Sequence, residues 1–425
     1  MSIMQILSGA NTPKYQRDLD DTINPVTGGL TGTHVRASTA TYIDGADGLL
    51  KTAAVDIPRF ELVGGHNALL VEPAGTNVCL RSREFNHASW NYQSITRTAN
   101  ETGIDGVANA AYTITDVNSS DIGIVYQTIT VPNDSNPACY SIYVKKDENE
   151  ARFPEFQLNL TGGTTRQHKV QLNTKTGALY DRTNTGSDTY GVIDRDDWWQ
   201  IWIVVTNNST GNTTLSIYII PAVTTVWGST GVAAQGSIIV DAAQVELNKK
   251  IPSSFIPTVA SAVTRATESG YSSYDLPSNL FDAEGTAIIW FRPGFAEAVA
   301  SADGGILACN DAVSSLLYAD ISGNGVASHD GATEATQALA YAAYTWYKLI
   351  VKWGYDVGGT EKFRVGVDSG AGVSWGAEQT FDGSFTLGSY LRIGYGLFGP
   401  MHVRNLMLFR KALSDTMINY WGGTP

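Results

Sequence analysis

The chain has 425 residues, enough for two or three domains that each bury a core. Hydrophobic residues make up 43% and charged residues only 16%, and 43 glycines lie between short apolar runs, a composition typical of an all-β chain with many turns. The net charge of −13 and the lack of a cluster of lysines and arginines exclude a nucleic-acid binding surface, and solubility explains the acidity.

The cysteines indicate a protein made in a reducing cytoplasm. Cys79, Cys139 and Cys309 are odd in number and widely spaced, which favours free buried thiols over a disulfide framework or a metal site. The first residues lack the basic start and apolar core of a secretory signal. No run approaches the roughly 18 apolar residues of a membrane-spanning helix. We therefore expect no membrane insertion, and, if the protein works outside the cell, release by another route such as lysis.

Residues 1–75 contain few periodic runs. They carry Gly-Gly pairs at 28–29 and 64–65 together with four prolines, all of which interrupt regular structure. A segment of this kind rarely forms a core of its own. It is predicted to be an irregular arm that wraps another surface or docks on a partner.

Residues 76–265 show short apolar alternations at close spacing, separated by Asn, Asp, Gly, Ser and Thr. Such a series predicts the strands of a β-sandwich, most commonly a jelly roll. The predicted strands cover residues 108–115, 123–131, 139–146, 156–162, 169–174, 198–207 and 214–222.

The stretch DDWWQIWIVVT, residues 196–206, gives two different faces because side chains alternate along a strand. Trp198, Gln200 and Trp202 share one face, where the two rings are candidates for stacking on sugars. The alternative is that this face packs under a loop, the N-terminal arm or a neighbouring subunit, since a large apolar surface marks an interface without identifying it. The opposite face is wholly apolar and is predicted to be core: Trp199, Ile201, Ile203 and Val205.

A polar linker of small residues covers 258–279, and the strand pattern then restarts. The restart predicts a second sandwich. In TWYKLIVKW, Trp346 lies on a mixed face with Lys348 and Lys352 and is a third candidate for contact with sugars. The segment ALSDTMINYW is predicted to be a short helix, with Ser414 as its N-cap and an aspartate in its first turn.

The stretch PRFELVGGHNALLVEPAGTNVCLRSREFNHASWN, residues 58–91, resembles a junction of bacteriophage virion proteins that precedes a carbohydrate-binding-like jelly roll. VDAAQVELNKKIPSSFIPTVASAVTRATE, residues 240–268, resembles the closing segment of the same module. The resemblance implies that the first stretch ends an N-terminal arm and begins the jelly roll. Its matching residues are Pro58, Arg59, Phe60, Leu69, Leu70, Val71, Glu72, Thr76, Asn77, Ser82, Phe85 and Trp90.

The C-terminal half is similar to laminin-G/concanavalin-like domains. The similarity is carried by TWYKLIVKW, FRVGVDSG, LRIGYG and FGPMHVRNLMLFRKALSDTMINYW. Together the resemblances imply a virion surface protein, namely a tail fibre, a tailspike, or a capsid fibre or decoration. Proteins of these classes are usually oligomeric, so a homotrimer is expected. A fold alone does not settle a function.

The acidic residues do not predict a glycosidase. Hydrolysis of a glycoside needs two carboxylates about 5–10 Å apart, and the E-x-D-x-E patterns of concanavalin-like hydrolases are missing from the sequence. The six histidines form no nucleophile or metal constellation either. Two acidic groups are better explained as exposed turn residues: Asp147, Glu148 and Glu150, and Asp194, Asp196 and Asp197.

A calcium ion is the most plausible bound ion, because carbohydrate-binding jelly rolls often hold one near the edge of the sandwich. The resemblance places Asp241 of VDAAQVE at such a ligand position, with Glu246 nearby. Ca²⁺ takes six to eight oxygen ligands. Asp241 and Glu246 are therefore candidate ligands of a structural Ca²⁺, and no other cofactor is expected.

The sequence thus predicts an all-β chain with two jelly-roll-type sandwiches in tandem and an irregular N-terminal arm. Residues 1–75 would be the arm for particle attachment, 76–265 a carbohydrate-binding-like jelly roll, and 266–425 a laminin-G/concanavalin-like sandwich. The expected function is that of a non-enzymatic bacteriophage protein on the virion surface, made in the host cytoplasm. It would contact other virion proteins through the arm and bind host surface glycans. The alternatives are a purely structural capsid decoration and a polysaccharide depolymerase.

Overall fold

The computed structural model describes residues 15–17, 32–268, 272–275, 283–300, 302–310, 312, 315–320, 325–382 and 384–421. Strands dominate these residues, and the helical content is a 3₁₀ turn at Glu297–Val299 and one short helix, α1, at Asp415–Tyr420. The predicted all-β fold class is confirmed. No helix in the described ranges has the length and apolar character needed to cross a membrane.

Short strands already occur in the segment that the sequence predicts to be irregular. The described strands before residue 75 are β1 (Tyr15–Arg17), β2 (Gly32–His34), β3 (Ala40–Ile43), β4 (Leu50–Ala53), β5 (Arg59–Val63) and β6 (His66–Val71). They are three to six residues long. Lengths this short carry little periodicity, which explains why sequence patterns do not reveal them.

The next fourteen strands, β7 to β20, build the first sandwich. An eight-stranded sheet has the order β16-β17-β12-β19-β10-β9, with β7 paired to β19 and β20 paired to β7. It faces a six-stranded sheet of order β15-β14-β13-β18-β11-β8. The strands are β7 (Gly75–Asn77), β8 (Asn91–Gln93), β9 (Ile95–Glu101), β10 (Ala111–Asp116), β11 (Ile124–Thr130), β12 (Pro137–Lys145), β13 (Phe153–Thr161), β14 (Arg166–Leu172), β15 (Leu179–Asn184), β16 (Tyr190–Arg195), β17 (Trp198–Thr206), β18 (Thr214–Thr224), β19 (Gly236–Leu247) and β20 (Val263–Arg265).

The remaining strands belong to the second sandwich. They are β21 (Ser272–Asp275), β22 (Gly285–Pro293), β23 (Gly304–Ala308), β24 (Leu317–Asp320), β25 (Gly325–His329), β26 (Glu334–Ala338), β27 (Tyr347–Val357), β28 (Thr360–Asp368), β29 (Val373–Trp375), β30 (Gln379–Thr380), β31 (Tyr390–Tyr395) and β32 (Met401–Phe409).

Strands from the start of the chain complete both sheets of the second sandwich. The nine-stranded sheet has the order β29-β28-β27-β22-β32-β6-β5, with β1 also paired to β32 and β30 to β28. The seven-stranded sheet has the order β2-β21-β31-β23-β24-β25-β26. Leu69 pairs with Val403, and Leu70 with His402. Four of the six early strands are therefore structural parts of the C-terminal sandwich, and the first sandwich is inserted between them and the rest of it.

Each sandwich has its own apolar core. Inward residues of β17, such as Trp199 and Ile201, lie in the core of the first sandwich, as predicted. The core of the second sandwich continues beyond its own sheets, because Cys139, Trp202 and Val204 of the first sandwich belong to it. The two sandwiches therefore share a continuous apolar interface.

Two local predictions are confirmed. Ser414 is the N-cap of α1, and its hydroxyl accepts a hydrogen bond from the amide of Met417 at 3.4 Å, which satisfies one of the free donors of the first turn. The three cysteines are free and buried. Burial raises the pKa of the Cys79 thiol, which makes it inert at neutral pH.

Candidate functional site

The two tryptophans proposed as a sugar platform are buried. Trp198 is 5% exposed and Trp202 is 8% exposed. Trp198 lies in a small apolar cluster with Leu50 and Phe255, while Trp202 belongs to the core of the second sandwich. The expected exposure of this face is therefore wrong. The alternative explanation holds, because the face packs against the N-terminal segment and the second sandwich.

The other two platform candidates are also buried and lie apart. Gln200 is 2% exposed, and its side-chain oxygen accepts a hydrogen bond from Arg195 Nε at 3.1 Å. Trp346 donates from its ring nitrogen to the carbonyl of Val63 at 3.2 Å, in a cluster separate from those of Trp198 and Trp202. The structure does not bring the four residues together into one binding surface.

Asp241 and Glu246 are occupied by protein donors rather than arranged around an ion. Arg83 donates to both oxygens of Asp241, at 2.8 and 2.6 Å, and the amide of Ile104 donates at 3.1 Å. Ser253 donates to Glu246 from its amide and its hydroxyl, both at 2.8 Å. The described residues contain no group of three or more His, Cys, Asp and Glu side chains placed to hold a metal. The two acids are therefore internal hydrogen-bond acceptors and not the expected calcium ligands.

The acidic turn residues mostly lie where the sequence places them. Glu148, Glu150, Asp194, Asp196 and Asp197 are exposed. Asp194 forms an ion pair with Lys146, with 2.6 Å between Oδ1 and Nζ. In the other group Asp147 is only half-buried, and it pairs with Arg152.

The outer face of the six-stranded sheet carries aromatic and polar side chains in register, and we call it the aromatic-polar face. Tyr126 on β11 lies opposite Tyr218 on β18, Tyr218 opposite Gln157 on β13, and Gln157 opposite Lys169 on β14. The two tyrosine rings stack with their centroids 5.5 Å apart and their planes at 22°. Both rings are partly exposed. A continuous row of four side chains thus crosses the sheet away from the core.

A hydrogen-bonded row of polar groups runs along β13 beside the tyrosines. Gln157 Nε2 donates to Glu155 at 2.7 Å, and Asn159 Nδ2 donates to Gln157 at 3.5 Å. Arg182 on β15 donates to both oxygens of Glu155, one at 2.6 Å. Asn159 Oδ1 is buried and has no hydrogen-bond partner among the described residues. Because an unpaired buried acceptor is costly, this oxygen is suited to a hydroxyl donor.

Further aromatic rings stand at the β15 end of this face. Trp227, in the loop that follows β18, is 37% exposed and contacts Tyr180 edge-on, with 6.1 Å between ring centroids. Gln171 holds this loop, since it accepts from the amide of Gly228 at 3.0 Å and donates to the carbonyl of Ser229 at 2.6 Å. The face therefore combines polar groups with aromatic rings at separated positions.

No family model matches the chain, and no curated protein matches it. Among solved structures, it is similar to the N-terminal CBM22-1-CBM22-2 tandem domain of Paenibacillus barcinonensis Xyn10C. The identity is 11% and the TM-score is 0.27, and the alignment covers 80% of this chain and 99% of that chain. A TM-score this low carries no argument about the fold or function of the present chain.

Proposed function

We propose that the chain is a non-catalytic glycan-binding protein and that the aromatic-polar face is its binding surface. The observation that carries the proposal is the stacked pair of Tyr126 and Tyr218 beside Gln157 and Asn159. Sugars offer apolar C–H faces and a rim of hydroxyl groups, which match aromatic rings and amide or carboxylate groups respectively.

The mechanism is stacking of a sugar on the tyrosine rings, with hydrogen bonds from its hydroxyls to the amides of β13. The partly exposed Asn159 side chain contacts one hydroxyl, and Lys169 donates to another from the neighbouring strand. Each contact with these partly exposed rings is weak. Several copies on one particle would raise the overall avidity by orders of magnitude when they bind a repetitive glycan together.

We propose that the setting is the surface of a bacteriophage virion, as a tail fibre, tailspike, or capsid fibre or decoration. The motifs in residues 58–91 and 240–268 support this setting through their resemblance to virion proteins. The protein would be made in the host cytoplasm, assemble as a homotrimer, and attach to other virion proteins through residues of the N-terminal segment.

A purely structural decoration is the second candidate function. It is favoured by one observation, the burial of Trp202 between the sandwiches and of Trp198 against Leu50 of the N-terminal segment, which makes this face a source of rigidity rather than of binding. Electron microscopy of particles that carry the protein separates the two. Density at a tail tip supports receptor binding, whereas a dense symmetric array over the capsid supports decoration.

The binding proposal is tested by a glycan array, followed by titration calorimetry of the full chain with the best glycan. We expect Tyr218→Ala to weaken binding about 3- to 10-fold, the effect of losing one stacking ring. Tyr420→Ala is the matched control, because this exposed tyrosine lies in α1 of the other sandwich. Absence of any array signal, or equal losses in both variants, contradicts the proposal. Release of new reducing ends from the glycan would instead show a depolymerase.

A further inference from the structure

A cleft of about 590 Å³ lies where three parts of the chain meet, and we call it the junction cleft. One wall is the loop of residues 44–48, which follows β3. A second wall is the end of β16 with Asp194 and the turn to β17 with Asp196. The third wall is formed by Arg292, Tyr344 and His402 of the second sandwich. The volume falls within the range of small-molecule sites, about 300–1,000 Å³.

An unpaired acceptor lies in the wall of the cleft. His402 is 6% exposed, and its Nε2 is 3.0 Å from an oxygen of Glu61. Its Nδ1 has no hydrogen-bond partner among the described residues. Burial lowers the pKa of His402, so the neutral ring donates from Nε2 to Glu61 and leaves Nδ1 as an acceptor. A bound group that donates a hydrogen bond, such as a hydroxyl, would satisfy it.

Guanidinium N–H groups without hydrogen-bond acceptors lie beside this ring nitrogen. Arg292 donates from Nε to the carbonyl of Tyr344 at 3.0 Å, and its two terminal nitrogens make no hydrogen bond within the described part of the chain. Arg195 reaches Glu61 only at 3.5 Å. Burial, and then repulsion from Arg195, lowers the pKa of Arg292 to about 10. On this inner wall two guanidinium groups lie beside one carboxylate, Glu61, and the free terminal nitrogens of Arg292 can donate to a bound anionic group.

The mouth of the cleft is lined with carboxylates. Asp44 and Asp47 share Lys51, which is 2.8 Å from Asp47, while Asp194 pairs with Lys146. Asp196 is exposed and forms no ion pair with the described residues. These carboxylate oxygens accept hydrogen bonds from hydroxyl groups, and they repel any ligand that also carries negative charge at the mouth of the cleft. The mouth therefore selects hydroxyl groups, whereas the inner wall selects an anion.

We propose that the junction cleft binds a carboxylated sugar unit, a uronic or a sialic acid. Its carboxylate lies against the terminal nitrogens of Arg292 and Arg195. One hydroxyl donates to His402 Nδ1, and hydroxyls on the opposite edge of the ring donate to Asp196 and Asp44. This site is separate from the aromatic-polar face, and it does not depend on glycan binding there.

The test is titration calorimetry of the full chain with glucuronic acid and N-acetylneuraminic acid, with glucose and sulfate as comparison ligands. We expect one of the acidic sugars to bind, glucose to bind at least tenfold more weakly, and Arg292→Gln to weaken the acidic sugar at least tenfold. Arg364→Gln is the matched control, because this arginine lies on β28 of the same sandwich and stacks on Trp375 instead. Tyr218→Ala should leave this binding unchanged, which separates the cleft from the aromatic-polar face.

Asp196→Asn provides a second variant that should fold normally, because its side chain is exposed and asparagine tolerates the positive φ of 61° at this position. We expect it to weaken the acidic sugar several-fold and to leave sulfate unchanged. Three results would overturn the proposal: no binding of either acidic sugar, equal binding of glucose, or sulfate binding as tight as that of the sugar and equally sensitive to both variants.

Discussion

Arg59 and Glu268 are 209 residues apart in the chain, yet Arg59 Nε lies 3.0 Å from Glu268 Oε1 in the fully buried interior. A second pair of atoms of the same two residues is also in contact, so the interaction is bidentate. Arg36 donates to Glu268 at 2.5 Å, and Glu72 accepts from Arg59 at 2.7 Å. Arg265 completes this ion cluster, 3.4 Å from Glu72.

The ion cluster joins the two ends of the inserted sandwich to the N-terminal segment. Glu72 directly follows β6 and lies three residues before β7, the first strand of the first sandwich, and Arg265 ends β20, its last strand. Arg59 comes from β5, which belongs to the second sandwich. The motifs PRF, LLVEP and TRATE, which carry the resemblance to virion proteins, therefore meet at one buried point. Ion pairs between residues of these motifs hold the two sandwiches in a fixed relative position.

Glu268→Ala should destabilise the protein strongly, because it leaves two buried arginines with one carboxylate fewer. Breaking a buried ion pair by removing one partner costs about 3–5 kcal/mol. Urea denaturation followed by tryptophan fluorescence measures the change. Glu148→Ala is the control, since Glu148 pairs with Lys175 on the surface and should have little effect. Equal midpoints for Glu268→Ala and the wild type would contradict a structural role for the cluster.

Stability should fall on acidification because the buried glutamates bind protons less readily in the folded state. Burial alone would raise the pKa of Glu72 and Glu268, but the nearby arginines reverse this and hold both values below the usual range. In the unfolded chain glutamate titrates near pH 4.3. The unfolded state therefore takes up protons first, and the stabilisation present above that pH is lost as the pH drops below about 5.

Urea midpoints between pH 7 and pH 3.5 measure this loss for the wild type and for Glu268→Gln. The variant should be less stable at pH 7 but should lose less stability on acidification, so the two curves converge. The difference between the curves isolates Glu268 from Asp241 and Glu246, whose pKa values burial raises. Parallel curves would show that Glu268 does not contribute.

Local features of the fold can be predicted from the sequence, whereas contacts between segments that are distant in the chain cannot. The alternation of DDWWQIWIVVT correctly separates Trp199 from Trp202, because the period of a strand is a local property. The alternation does not predict which part of the protein covers the face of β17 that carries Trp202. The pairing of β6 with β32 joins segments more than 300 residues apart, and short strands of three to six residues carry no signal for it. The largest difference between prediction and structure therefore lies in residues 1–75, which the sequence predicts to be irregular but which contain strands of the second sandwich.

The aromatic-polar face could be predicted in part. In FQLNL, Gln157 and Asn159 alternate with apolar residues, which predicts a polar outer face on β13. The stacking of Tyr126 on Tyr218 depends on the register between β11 and β18, which local patterns do not fix. The junction cleft could not be predicted, because its walls come from three distant parts of the chain.

Trp202→Ala should destabilise the protein without weakening glycan binding. Trp202 fills the apolar interface between the sandwiches, and replacing a buried tryptophan by alanine costs about 3–5 kcal/mol. Denaturant unfolding measures the loss, and calorimetry with the best glycan from the array, at a temperature where the variant is folded, should give an unchanged affinity. Trp227→Ala is the matched control, because this more exposed ring should matter less for stability. A stable Trp202→Ala variant with lost glycan affinity would restore the original platform hypothesis.

The topology predicts that the two sandwiches differ in their ability to fold alone. Residues 75–265 contain every described strand of both sheets of the first sandwich, β7 to β20. Residues 266–425 lack β1, β2, β5 and β6, which the sheets of the second sandwich need. We expect the fragment 75–265 to unfold cooperatively in urea, whereas 266–425 alone should show no cooperative transition.

Trp198 and Trp202 lose their covering layer in the fragment 75–265, so it should bind a hydrophobic dye more strongly than the full chain does. Adding residues 1–74 as a separate peptide to the fragment 266–425 should restore a cooperative transition, because the missing strands and their apolar side chains return. A fragment 266–425 that folds cooperatively without the peptide would show that the early strands only decorate its sheets. In that case the N-terminal segment would be free to detach from the sandwich and to serve as the attachment segment proposed above.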